Sequence, residues 1–164
     1  KYWRSWDYTV KWRPVFFDLD FGLHGNSPSR NILASYFKVE GEPSQDGSLT
    51  NMDIFCGLKK NKGWRDRFVE RYVYLIYNQF APERLTAILD NMASELTPEI
   101  PRHIKRWGTH SSIDEWKREI NSLRSTLEKR PDYALKNLKS YFNVSDEQFE
   151  VYINNAKAGL NAWG

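Results

Sequence analysis

One cysteine in 164 residues, Cys56, is too few for an internal disulfide, and with no His or Cys at ligand spacing around it there is no zinc pattern either. No apolar run approaches the roughly 18 residues that a membrane-spanning helix needs. Gly-x-Gly spacings are absent, which removes the usual phosphate-cradling loops, and no Gly-x-Ser-x-Gly elbow presents a nucleophile. A basic half or tail is also missing. Lys and Arg total 24 against 21 Asp and Glu, and the first sixty residues carry 8 against 7, so no electrostatic footprint for nucleic acid emerges. The opening Lys1-Tyr2-Trp3-Arg4 is neither a signal peptide nor an initiator methionine. The chain is therefore expected to be a piece of something longer, with any targeting signal outside it. What remains is globular in composition: 40% apolar, 27% charged, and rich in aromatics with 7 Trp, 9 Tyr and 9 Phe. That suits a single domain or sub-domain over 1–164 with one sizeable core.

Residues 1–24 read as a β element. Tyr8-Thr9-Val10 and Val15-Phe16-Phe17 are β-branched and aromatic runs, and Pro14 sits where an edge or strand start tolerates it. A hairpin or a pair of adjacent strands is the economical reading. Periodicity then fails over 25–63, where Gly25-Asn26-Ser27-Pro28 and the stretch from Gly41 to Ser48 are turn chemistry, so an irregular loop region is expected.

Residues 64–164 read as a mainly helical body. Trp64, Phe68, Tyr72 and Ile76 share one face of a first helix, widened by Val69 and Val73. Pro82 opens a second helix with Leu85, Ile88, Leu89, Met92 and Leu96, before Thr97-Pro98 interrupts it. Ser112-x-x-Glu115 is a capping box for a third, which carries Trp116, Ile120, Leu123 and Leu127 and is expected to end near Arg130-Pro131, where a fourth begins. Residues 146–158 read equally as a helix capped by Ser145 or as a strand, since Phe149 to Ile153 alternates. The shared core is expected to hold Trp64, Phe68, Tyr72, Ile76, Leu89, Trp116 and Leu123.

The sharpest chemical feature is Asp18-Leu19-Asp20 after an apolar run. Residues two apart on a strand point the same way, so both carboxylates would project together. Mg²⁺ prefers such hard oxygen ligands and completes its shell with phosphate and water. A short Asp-x-Asp also arises as a solvated pair that hydrogen-bonds loop N–H groups. His24 lies close to the acidic pair and reads either as a residue that joins such a site or as an exposed loop histidine, His103 and His110 have no metal-ligand spacing, and Trp64 and Trp116 are in phase with helical apolar faces, which favours core over a sugar-stacking platform.

Several segments together resemble the C-terminal part of the spore-coat CotH kinase family. They are Lys11-Trp12-Arg13, Phe17-Asp18-Leu19-Asp20-Phe21-Gly22, Leu49 to Phe55, Trp64 to Tyr72, Pro98-Glu99-Ile100, Arg106-Trp107-Gly108, Trp116, Leu123-Arg124, Arg130-Pro131 and Tyr141-Phe142. The resemblance implies an α+β fold, in which a short N-terminal β-hairpin or strand element precedes a helical body like the C-terminal lobe of an atypical protein kinase. It implies a parent that uses ATP and Mg²⁺ to phosphorylate Ser-type residues of coat or secreted proteins. Asp18 and Asp20 would be the metal ligands, either of them the principal one. The Gly-rich loop, phosphate-binding Lys and catalytic Asp would lie upstream of Lys1, in a missing N-terminal lobe of the same polypeptide. This chain alone would then be inactive. Its partners would be that lobe and a protein substrate, with no nucleic acid and no membrane segment, at a spore coat, cell surface or extracellular location. Two alternatives stay open: an Asp-x-Asp nucleotide-sugar glycosyltransferase fragment, and a non-enzymatic surface interaction domain.

Overall fold

The computed structural model describes residues 2–11, 13–15, 27–36 and 51–160. The described chain is mostly helical, which overturns the α+β expectation. At the N-terminus only β1 (Tyr2–Trp3) and β2 (Arg13–Pro14) pair, antiparallel, with Tyr2 opposite Pro14 and Trp3 opposite Arg13. Two residues a side do not make the expected hairpin. Tyr8-Thr9-Val10, read as a strand, is instead a turn organised by Asp7, whose carboxylate accepts from the Thr9 backbone N–H at 3.2 Å and the Thr9 hydroxyl at 2.8 Å. The Ser5 hydroxyl accepts from the Val10 N–H, and Tyr8 takes a φ of 60°. Local side-chain bonds to the backbone thus outcompete β propensity here. Phe16 and Phe17 lie outside the described residues.

The region 25–63, expected to be irregular, contains two helices, α1 (Ile32–Tyr36) and α2 (Asn51–Lys59). Residues 25–26 and 37–50 of the expected loop lie outside the described residues. The helical body then follows as α3 (Lys62–Asn78), α4 (Pro82–Leu96), a 3-10 turn at Thr97–Glu99, α5 (Ile100–Trp107), α6 (Ile113–Phe142) and α7 (Asp146–Lys157). Their boundaries are chemical. Asn61, Ser112 and Ser145 each accept from a backbone N–H three residues on, and Pro82 occupies the first turn of α4. Gly108 and Gly159 follow α5 and α7 with φ of 63° and 74°, a left-handed conformation that a Cβ would strain.

Residues 146–158 therefore resolve as helix, with Phe149, Tyr152 and Ala156 buried at helical spacing. Pro131 does not start a new helix as expected; α6 runs through it for 30 residues, about 45 Å. Its ring is buried with Leu127, Ala134, Leu138 and Phe142 on the same stripe, and burial along that stripe keeps the helix continuous despite the lost backbone bond.

α3 packs chiefly on α7 and α6, while α4 lies along α6. The main core gathers Leu33 of α1 with Val69, Val73, Leu138, Phe142, Phe149, Tyr152 and Ala156. Val73 and Leu138 are fully inaccessible. Of the expected core, Leu89 and Trp116 are buried, whereas Trp64, Phe68, Tyr72, Ile76 and Leu123 are only half-buried. The inward face of α3 is the one through Val69 and Val73, rotated from the aromatic one.

Candidate functional site

Asp18, Asp20 and His24 lie outside the described residues, so the surroundings of the acidic pair are approached from the chain that follows it. Ser27 to Arg30 form a turn in which the Arg30 N–H donates to the Ser27 carbonyl at 3.0 Å. That turn is stapled to α6. The Arg130 guanidinium donates to the carbonyls of Pro28 at 2.8 Å and Arg30 at 2.6 Å, and the Asn137 amide reaches the carbonyls of Ser29 and Arg30 at 3.5 and 3.4 Å. The Asn31 side chain then accepts from the Ala34 N–H to start α1, and Leu33 enters the core. Two side chains of the long helix therefore fix Pro28 to Arg30, which begin eight positions beyond Asp20 in the sequence.

Beside this clamp α3 presents a concave, mostly apolar surface. A cavity of about 610 Å³ runs over Trp64, Phe68, Tyr72 and Leu75, with Arg67 and Arg71 at its side. A smaller one of about 340 Å³ continues it past Tyr72 and Leu75 to Phe80 and Pro131. Leu58 of α2 also lines the larger one, and Phe55 of the same helix packs on its aromatics, its ring 5.1 Å from Trp64 and 5.2 Å from Phe68, both edge-on. Burial pushes the Tyr72 hydroxyl above its ordinary value of 10.0, and the nearby Arg130 offsets part of that.

The other polar residues singled out by the sequence build the fold. Arg65 donates to the Lys59 and Lys60 carbonyls at the end of α2. Arg124 pairs with Asp90 across α6 and α4, and its hydrogen bond holds the Asp90 carboxyl below the usual range. The Ser111 hydroxyl and N–H do the same for Glu115 at the start of α6. His103 bonds the Thr109 hydroxyl at 2.7 Å, close to the end of α5, and His110 stands two residues beyond Gly108. Cys56 is buried and free. Among the described residues no three His, Cys, Asp or Glu side chains gather as a metal site, and no helix is long and apolar enough to cross a membrane.

Sequence reasoning singled out Arg130 only as part of the Arg130-Pro131 pair and had no signal for Asn137, because their partners lie about a hundred residues away. A family model described as CotH kinase protein matches residues 2–134. No curated protein and no solved structure matches the chain.

Proposed function

The chain belongs to the CotH kinase protein family, and on that premise we propose that it is the C-terminal portion of an atypical kinase whose intact form transfers phosphate from ATP to Ser-type residues of coat or secreted proteins. The family match, which covers the acidic pair and the Trp64 and Arg130 motifs in one span, is the observation that carries the reading. Asp18 and Asp20 would hold the ion, either of them as the principal ligand, and as a donor set they fit Mg²⁺, since two carboxylates offer the hard oxygens that this ion takes. Bound Mg²⁺ would supply neutralisation of phosphate charge. The chain's own residues contribute a fixed point after the pair: Arg130 and Asn137 hold Pro28 to Arg30, which begin eight positions beyond Asp20 in the sequence. The catalytic base, the Gly-rich loop and the phosphate-binding Lys belong to the N-terminal lobe of the same polypeptide, and this chain alone is inactive. A spore-coat, cell-surface or extracellular location accompanies the reading.

Nucleotide-dependent thermal stabilisation of the intact protein tests it. Mg²⁺ with ATP should raise the melting temperature, and Mg²⁺ with a nucleotide-sugar should not. Preference for the nucleotide-sugar would indicate a glycosyltransferase, and no response to either would favour a non-enzymatic interaction domain.

A further inference from the structure

Arg130 has donors to spare. Both of its bonds to the turn, to the Pro28 and Arg30 carbonyls, leave from Nη1, while Nη2 and Nε donate to no described residue. None of the ion pairs among the described residues involves it, so its charge has no carboxylate partner there. That charge stands at a cavity. The space of about 340 Å³ between α3, α4 and α6 is lined by Arg130 and Tyr72 amid hydrocarbon from Leu75, Ile76, Leu85 and Leu127. No carboxylate occurs among the described residues that line it. Phe80 alone of that lining is exposed, at 48%, and marks the open side.

The two polar groups work in the same place. Burial raises the Tyr72 hydroxyl above its ordinary value, so it stays protonated at neutral pH and can donate, and Arg130 is the charged group that acts on it. Nε and Nη2 form one edge of the guanidinium plane, an edge that takes a carboxylate through two parallel bonds. One cation and one neutral donor match a single negative charge; a phosphate dianion would be left half-neutralised in an apolar surrounding. The remaining walls ask for an apolar body, and the volume lies at the lower end of the range for small-molecule sites.

We propose that this cavity binds a monocarboxylate with an apolar body, the class that includes medium-chain fatty acids. The carboxylate takes the Nε and Nη2 edge of Arg130 together with the Tyr72 hydroxyl, and the hydrocarbon lies against Leu75, Ile76 and Leu127. Nη1 keeps its bonds to the turn, so the site fills without releasing Pro28 or Arg30.

The test is titration of the 164-residue chain with octanoate at neutral pH, read by calorimetry and by the amide resonances of Leu75 and Ala134, with helical content and melting temperature recorded for each variant. Octanoate should saturate one site with a Kd below about 1 mM. Octan-1-ol lacks the charge and acetate lacks the chain, and each should bind at least about 10-fold more weakly. Tyr72→Phe removes only the hydroxyl and should weaken octanoate by about 3- to 10-fold. Arg130→Gln should weaken it by at least about 10-fold. Because Arg130 also holds the turn, Asn137→Ala is its control: it loosens the same turn without lining the cavity, and the Kd should not change. A Kd above about 1 mM would overturn the proposal. Octan-1-ol or acetate binding as tightly as octanoate would also overturn it, leaving an apolar space without head-group recognition or a surface cation alone. Equal losses in Asn137→Ala and Arg130→Gln would do the same, by assigning the effect to the turn.

Discussion

Arg130 shows how much a single side chain fixes in this protein. Its guanidinium serves two carbonyls of the turn before α1, so removing it leaves the Pro28 carbonyl to water and the Arg30 carbonyl to Asn137 alone, and loosens the start of α1. Hydrogen bonds from a charged donor contribute about 1.5–3 kcal/mol, and partial exposure places the cost of Arg130→Ala near the lower end. The expected outcome is a loss of about 2 kcal/mol in the local opening free energy, read as faster amide exchange at Ala34, whose N–H is bonded to Asn31. Unchanged exchange at Ala34 would show that Leu33 alone anchors the segment. Such a clamp is illegible in one sequence because its two ends are 102 residues apart, and neither the arginine nor the prolyl carbonyl announces the other. Cap residues are legible for the opposite reason. Ser112 and Ser145 act on N–H groups three positions away, inside the window over which a sequence pattern can be read.

At the scale of elements, agreement and disagreement both trace to which forces are local. The openings of α4 at Pro82 and of α6 at Ser112 follow from local caps and first-turn residues. Of the apolar face expected for α4, only Leu89 is buried, while Ile88, Met92 and Leu96 stay exposed, and 146–158, which reads equally as helix or strand, resolves as α7. The hairpin did not form as read because Ser5, Asp7 and Thr9 bond the backbone of the very stretch whose β-branched residues suggested a strand. The aromatic face of α3 was read as its core because aromatics carry the largest apolar area. The structure turns the smaller Val69 and Val73 inward, against α7 and α6, and leaves the aromatics lining a groove. α6 was divided at Pro131 because proline lacks the N–H that would bond the Leu127 carbonyl, a local penalty of about 3 kcal/mol. Tertiary burial on both sides of that point overrides it. A consequence can be measured. Pro131→Ala returns the missing donor and loses part of a buried ring, for a net gain of about 1 kcal/mol and a rise in melting temperature of about 2–4 °C. A fall would mean that the ring's packing against Leu127 and Ala134 outweighs the helix it interrupts.

For the whole molecule, two tiers of organisation stand out. The body is held by an apolar core in which no described polar or charged side chain is buried, and its ion pairs are at the surface, where each is worth little. The proposed chemistry lies with Asp18 and Asp20, which precede in the sequence the turn that Arg130 and Asn137 hold. Kinase catalysis is chiefly positioning and charge stabilisation, so the proposal gives the two carboxylates the charge half of such a site. The direct test of that claim is Mg²⁺-dependent phosphate transfer from ATP by the intact protein with Asp18→Asn and Asp20→Asn introduced one at a time. An amide keeps the size of the side chain and some of its hydrogen bonding but removes the charge that attracts the ion. At least one variant should lose most of the activity with its melting temperature little changed. Wild-type transfer by both, with the Mg²⁺ dependence intact, would contradict the metal role of Asp18 and Asp20 and with it the account of this chain as half of a kinase site.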